Sequence, residues 1–217
     1  RQLLNNRLNM TADIYVRDTK DMLMASKDLP NVYGASSPKT NAANLRTKGS
    51  EASISWNDSF NLKGKAFHYS VVLGLADNTT KVTKYNNDNK TLGTPYEGQQ
   101  LGEIWGYVVD CLFKTDEEAE NYAVNQSYVT NILNISVKSQ GLHAGDVKYV
   151  DLDGDNIISP TLSANDVKDQ KVIGNCLPRY TYSVRLAADW NGFDFSALLQ
   201  GVGAQHWHPN GETSLFW

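Results

Sequence analysis

The sequence predicts an all-β chain: a segment of a large antiparallel transmembrane β-barrel with long extracellular loops, one of them containing a short helix. Three observations carry that prediction. The first is alternation. Arg179–Trp190 and 193–205 flank Asn191-Gly192, and Asn-Gly marks a hairpin because both central residues of a type I′ turn need positive φ. Tyr180, Tyr182, Val184, Leu186, Ala188 and Trp190 share one face, while Arg179, Thr181, Ser183, Arg185 and Asp189 fall on the other. A two-residue turn pairs Trp190 with Phe193, Leu186 with Ala197 and Arg185 with Leu198, so Phe193, Phe195, Ala197 and Leu199 join the apolar face. The second is length. Soluble strands usually run about 5 or 6 residues, whereas roughly 12 residues at about 3.3 Å each, tilted about 40°, climb roughly 30 Å. That height covers the apolar band of about 25 Å on a membrane barrel. The third is a regular exchange of short and long connections.

Element by element, 7–17 places Leu8, Met10, Ala12, Ile14 and Val16 opposite Asn9, Thr11, Asp13 and Tyr15. The pair 49–56 and 66–75, joined by the polar stretch 57–65, lines up Ala52, Ile54 and Trp56 with Phe67, Tyr69, Val71, Leu73 and Leu75. Aromatic residues flank both short turns, as they do at membrane interfaces. The expected division is 1–76 for barrel strands with one external loop at about 18–41, 77–178 for a long extracellular region, and 179–217 for a barrel hairpin and the start of the next external loop. Outer-membrane barrels have short periplasmic turns, which puts 57–65 and Asn191-Gly192 on the periplasmic side. Arg185 facing lipid near mid-bilayer would cost roughly 2 to 4 kcal/mol, so the parity that places it in the lumen is favoured.

Composition bounds the function classes. The 217 residues carry a net charge of −4 with scattered lysines, and no basic stripe invites nucleic acid. No run reaches the eighteen apolar residues of a membrane helix, and a negative mean hydropathy suits a barrel with a polar lumen and large loops. The chain begins almost inside a strand and stops at Leu215-Phe216-Trp217, so it is expected to be a segment of a longer protein. Cys111 and Cys176 fall in or beside the long external region, as a disulfide or as two free thiols.

That region is expected to fold. The stretch 98–107 is a glycine- and aromatic-rich strand signal, and Thr115 or Asp116 caps a short acidic helix over 115–124. Asp151, Asp153 and Asp155 stand at first, third and fifth positions, with the Ile157 carbonyl at the seventh. Calcium takes six to eight oxygens in irregular geometry, and Asp166 or Asp169 would close the shell. An EF-hand match is incomplete, since Asn156 stands where the glycine belongs and Leu162 where the bidentate Glu belongs. An ion-free turn, in which the same side chains cap backbone amides, stands beside the calcium reading.

Asn31-Val32-Tyr33-Gly34, Asn41-Ala42-Ala43-Asn44, Lys48-Gly49-Ser50-Glu51, Glu97-Gly98, Trp105-Gly106-Tyr107, Gly145-Asp146-Val147-Lys148-Tyr149-Val150-Asp151, Ile173-Gly174-Asn175, Pro178-Arg179-Tyr180 and Trp190-Asn191-Gly192-Phe193-Asp194 follow one another in order. That series resembles the C-terminal barrel region of SusC/RagA-type TonB-dependent outer-membrane receptors, over nearly the whole chain. The resemblance implies a plugged barrel of roughly 22 strands, embedded in outer-membrane lipid. It implies nutrient uptake, the import of oligosaccharide (glycan) or peptide cargo beneath a SusD-like surface lipoprotein. TonB would act through a plug region absent from this chain.

Tyr33, Trp105 and Tyr107 offer stacking faces for sugar rings, although aromatics in a glycine-rich strand also serve packing. His206-Trp207-His208 lacks a third ligand for a metal and fits an ordinary strand end. Gly-x-Ser-x-Gly, His-Glu-x-x-His and a phosphate-binding glycine loop are all missing from the sequence, and Asp151 to Asp155 are too close in sequence to bracket a sugar. No enzyme activity is expected. The rival reading is a secreted calcium-stabilised carbohydrate-binding β-sandwich, which accounts for the aspartates but poorly for one long apolar band with aromatic rims.

Overall fold

A computed structural model describes residues 2–25, 34, 39–132 and 142–207. In chain order the elements are β1 (Gln2–Leu3), β2 (Leu8–Ala25), β3 (Lys39–Leu62), β4 (Lys65–Lys84), β5 (Glu103–Tyr107), β6 (Val109–Leu112), α1 (Asp116–Glu120), α2 (Ser127–Ile132), β7 (Val147–Tyr149), β8 (Gln170–Asn175), β9 (Arg179–Trp190) and β10 (Phe193–Ala204). They fall into two units, one of Arg1–Thr83 with Cys176–Trp217 and one of Lys84–Asn175.

The first unit is a wall. Its strands form one six-stranded sheet in the order β1-β2-β3-β4-β9-β10, so the long strands lie in a single sheet instead of the two facing layers a sandwich requires. Phe193 pairs with Trp190, Ala197 with Leu186 and Leu198 with Arg185, the register that the Asn-Gly turn dictates. Asn191 and Gly192 have φ of 52° and 84°, as a type I′ turn demands. β9 also pairs with β4, matching Phe67 to Trp190, Val71 to Leu186 and Leu75 to Tyr182, and β2 pairs with β3, matching Met10 to Ile54 and Ala12 to Ala52. Residues paired across strands share a face, so the apolar set of each strand continues into the next.

That face is bare. Ile14 is 89% exposed and Phe193 75% exposed, and an apolar surface of this extent is a liability in water but a match for lipid. Near the turns it turns aromatic. The rings of Phe60 and Phe67 lie 5.0 Å apart and those of Phe67 and Tyr69 6.3 Å apart. Trp56 Nε1 donates to the Tyr69 hydroxyl at 3.1 Å, and Trp190 Nε1 to the Leu62 carbonyl at 3.3 Å. A lateral bond from Lys65 Nζ to Asn191 Oδ1 ties the two turns together. Aromatic bodies with polar tips suit a membrane interface.

Two glycines are required by close approach. A Cβ on Gly49 would stand 2.4 Å from the Tyr15 ring, and one on Gly201 2.4 Å from the Tyr182 ring; each tyrosine covers the glycine paired with it. At the start of β9 Tyr180 has φ of 55°, costly for a bulky residue. Asp77 offsets that strain, accepting from Arg179 Nε, from Arg179 Nη2 at 2.6 Å and from the Tyr180 amide at 3.4 Å.

The strands run further than alternation indicates. The expected spans 7–17, 49–56 and 66–75 become Leu8–Ala25, Lys39–Leu62 and Lys65–Lys84. The turn placed at 57–65 contracts to Lys63-Gly64, β2 and β3 run into the span placed at 18–41, and β4 runs on past residue 76. The physical reason is that tracts such as Asn78-Thr79-Thr80-Lys81 rise beyond the apolar band. A ladder with polar surroundings on both faces keeps its hydrogen bonds and loses its period. The hydroxyls of Thr47 and Thr80 hydrogen-bond at 2.9 Å within this upper stretch.

The second unit is built from small parts. β5 pairs with β8 and β6 with β7, and Phe113, Ala119 and Leu142 bury one another beside Tyr122. Thr115 caps α1, its Oγ1 accepting from the Glu118 amide at 3.1 Å. The helix ends at Glu120, short of the span 115–124 expected of it. Among the described residues no helix is long and apolar enough to cross a membrane, which says nothing of crossing by strands.

Candidate functional site

The sequence-predicted site residues lie in the second unit, except Tyr33, which lies outside the described residues. β5 presents Trp105 opposite Val172 and Tyr107 opposite Gln170. Both aromatics are half-buried. Glu103 holds the first: its Oε1 accepts from Trp105 Nε1 at 2.9 Å and from the Tyr96 hydroxyl, and its Oε2 from the Gln100 amide at 3.1 Å. Burial, then the Glu103 charge, pushes the Tyr96 phenol up to about 12. Tyr107 packs on Tyr149 with ring centroids 5.5 Å apart. Its buried hydroxyl has no hydrogen-bond partner among the described residues, and burial pushes that phenol up to about 12.

Asp151, Asp153 and Asp155 come together, each offering a carboxylate oxygen within 4.8 Å of the others. The loop folds this way because the same carboxylates cap its backbone. Asp151 accepts from the amides of Gly154 at 2.7 Å and Asn156 at 2.8 Å, and Asp155 from Ile157 at 2.8 Å. Gly154 and Asn156 take positive φ, 80° and 64°, in keeping with residue types that tolerate it. Desolvation pushes the Asp151 carboxyl up, but the amides of Asn156, Gly154 and Asp155 outweigh it and hold the group below the usual carboxylate range. Oxygen donors of this kind suit a hard cation, and carboxylate oxygens have lone pairs beyond those given to amides. Lys168 Nζ lies 3.3 Å from Asp153 and 4.0 Å from Asp166; Asp166 is not one of the three gathered carboxylates.

Asp169 holds this loop in shape. It is fully buried and accepts from the amides of Leu152 and Ser159, both at 2.8 Å, and from Ser159 Oγ at 3.3 Å, closing the segment that carries the aspartates. Gln126, 1% exposed, plays the same part for β7, donating to the Val147 carbonyl at 2.9 Å and accepting from the Tyr149 amide at 3.1 Å. Sequence reasoning raised Asp169 only as a ligand and missed Gln126, because an isolated polar residue in irregular chain carries no period. Cys111 and Cys176 are free, exposed thiols.

No family model matches the chain. The TonB-dependent receptor P39 of Formosa agariphila (strain DSM 15362 / KCTC 12365 / LMG 23005 / KMM 3901 / M-2Alg 35-1) is 27% identical over 228 residues, covering 91% of this chain and 20% of that protein. The chain is similar to a TonB-dependent receptor. Among solved structures it is similar to the RagAB peptide importer in its open-open state, with a TM-score of 0.63 and 18% identity over 94% of this chain and 19% of that one. The RagAB peptide transporter gives 0.60 and 16% over 92% and 19%, and the closed-closed importer 0.59 and 17% over 94% and 20%. The expected resemblance to SusC/RagA-type receptors, the barrel-wall fold and the outer-membrane location are borne out. The chain spans about a fifth of the length of these proteins.

Proposed function

We propose that the chain is part of a TonB-dependent outer-membrane importer for glycans or peptides, working beneath a SusD-like surface lipoprotein, with TonB acting through a plug region that this chain does not contain. The observation that carries the reading is the bare apolar face of the wall, continuous through β2, β3, β4, β9 and β10 and aromatic near its turns. The named relatives support it, and the RagAB name supports peptide as one cargo class. In this reading Lys63-Gly64 and Asn191-Gly192 face the periplasm, Lys84–Asn175 lies outside the cell, and the chain has no catalytic part. The test is fractionation of the parent protein. Retention in the outer membrane through salt and carbonate washing, with a lipoprotein co-purifying after gentle detergent extraction, is expected. Release as a soluble monomer would overturn it, and hydrolysis of an oligosaccharide lost on Asp153→Asn would overturn the non-catalytic reading.

Within that importer a calcium ion orders the outer unit through Asp151, Asp153, Asp155 and the Ile157 carbonyl, with Asp166 reaching in from outside the group. The gathered carboxylates support this. Chelator is expected to expose 150–160 to protease in the parent protein; cleavage unchanged by chelator would sink the idea.

A further inference from the structure

The apolar face of the wall has two unlike ends. At the turns it is aromatic, with Arg7 held by Asp58 at 3.3 Å and Lys65 bonded to Asn191. At the far end it becomes cationic. Val16 pairs with Lys48 and Asp18 with Arg46, and residues paired across strands share a face, so Lys48 and Arg46 continue the face that carries Met10, Ala12 and Ile14. Lys20 follows Asp18 by two residues, near enough for its charge to act on that carboxylate. β3 and β4 are neighbours in the sheet, and the two-residue turn Lys63-Gly64 sets Phe60 beside Phe67 and Thr47 beside Thr80. The ring contact of 5.0 Å and the hydroxyl bond of 2.9 Å agree with that register, which also places Lys81 beside Arg46.

Height gives this rim its meaning. From Phe60 to Lys48 the strand climbs about 30 Å, at about 3.3 Å per residue and a tilt of about 40°, which is the thickness of a hydrocarbon core. With the apolar face in lipid, the ammonium groups stand at the headgroup level of the leaflet away from the turns, and Ile14, Val16 and Leu75 lie exposed just below them. The carboxylates on this stretch of the face are engaged by guanidinium groups: Asp18 accepts from Arg46 Nε at 2.6 Å and Nη2 at 3.0 Å, and Asp77 from Arg179 Nη2 at 2.6 Å. Asp21 sits apart in the β2 irregularity at φ of 56°, its amide on Asn44 Oδ1 at 2.9 Å. Lys20, Lys48 and Lys81 stand on three successive strands, a spread of about 10 Å, and give the rim its sign. In water such a row is an ordinary solvated face. Continuous with a lipid-facing surface, it meets headgroups, where the groups that answer an ammonium are phosphates. A zwitterionic headgroup brings a positive charge of its own and is the poorer match.

We propose that this rim binds a phosphorylated lipid of the outward leaflet, its phosphate oxygens on Lys20, Lys48 and Lys81 and its acyl chains on Ile14, Val16 and Leu75. The inference rests on the importer reading, which sets the apolar face in lipid and the turns in the periplasm. The parent protein, purified in detergent with its partners, is titrated with lipid A carrying two phosphates, with the single-phosphate form and with phosphatidylethanolamine, and bound lipid is counted by native mass spectrometry. The two-phosphate form is expected to bind at least about ten-fold tighter than phosphatidylethanolamine, with the single-phosphate form between them. Lys20→Gln, Lys48→Gln and Lys81→Gln together should erase that order, Lys20→Arg, Lys48→Arg and Lys81→Arg together should keep it, and Lys63→Gln at the turn end should leave it unchanged. Binding that ignores the phosphate count, an order that survives the glutamine variant, or one lost with Lys63→Gln overturns the proposal. Competition by equimolar inorganic phosphate also overturns it, because the lipid would then add nothing. Failure of the importer reading shows separately, as release of the parent from the outer membrane on carbonate washing.

Discussion

The wall and the second unit solve opposite problems. Every long strand of the wall is bonded along its length to its neighbours, and its side chains divide into one apolar and one polar face. The second unit has ladders of three to five pairs and makes up the shortage with side chains that bond the backbone directly, chiefly Asp169, Gln126 and Glu103. The lesson is that a long ladder tolerates almost any side chain of the right polarity, whereas a short one depends on a few polar atoms with no substitutes.

That contrast can be broken most sharply in the wall. Leu186 sits between Val71 and Ala197 on the apolar face, so Leu186→Arg is expected to cost about 2 to 4 kcal/mol, while Arg185→Leu on the other face costs under about 0.5 kcal/mol. Denaturant midpoints of the parent protein in lipid vesicles measure both, and equal effects would end the two-faced reading. In the second unit Asp169→Ala strips the Leu152 and Ser159 amides of their acceptor, a loss of about 2 to 3 kcal/mol. Local hydrogen exchange at 150–160 reads it; exchange that rises equally in β9 would show the two units to be one cooperative body.

Two smaller effects sharpen the comparison. Thr115→Ala removes the α1 cap and should cost about 1 kcal/mol, seen as faster exchange at Glu118 with the wall unchanged. Alkaline pH gives the mildest test. Tyr96 and Tyr107 ionise at about 12 against about 10 in the unfolded chain, so the folded unit holds these protons longer. Their contribution is complete below pH 10 and is lost as pH rises through 12. Tyrosinate absorbance should therefore show a late-titrating class, and Tyr107→Phe, which removes a hydroxyl with no partner among the described residues, should shrink that class without loosening the unit.

Legibility followed the same division. The β9–β10 hairpin was readable pair by pair, because a two-residue turn and alternation fix register together. The outer reaches of β2, β3 and β4 were not, since beyond the apolar band nothing separates the two faces. In the second unit the Thr115 cap and the gathered aspartates were visible as local chemistry. Asp169 as a clamp was hidden, because its partners Leu152 and Ser159 are ten to seventeen residues away and are backbone amides, which every residue offers.

β4 and β9 are adjacent strands, matched Ala76 to Thr181 and stapled by Asp77 and Arg179. The intervening chain therefore leaves the sheet and returns to it at one place. A wall closed at that point asks nothing of the insert except that its two ends meet. An insert of another length or sequence could therefore replace this one without disturbing the pairing of β4 with β9.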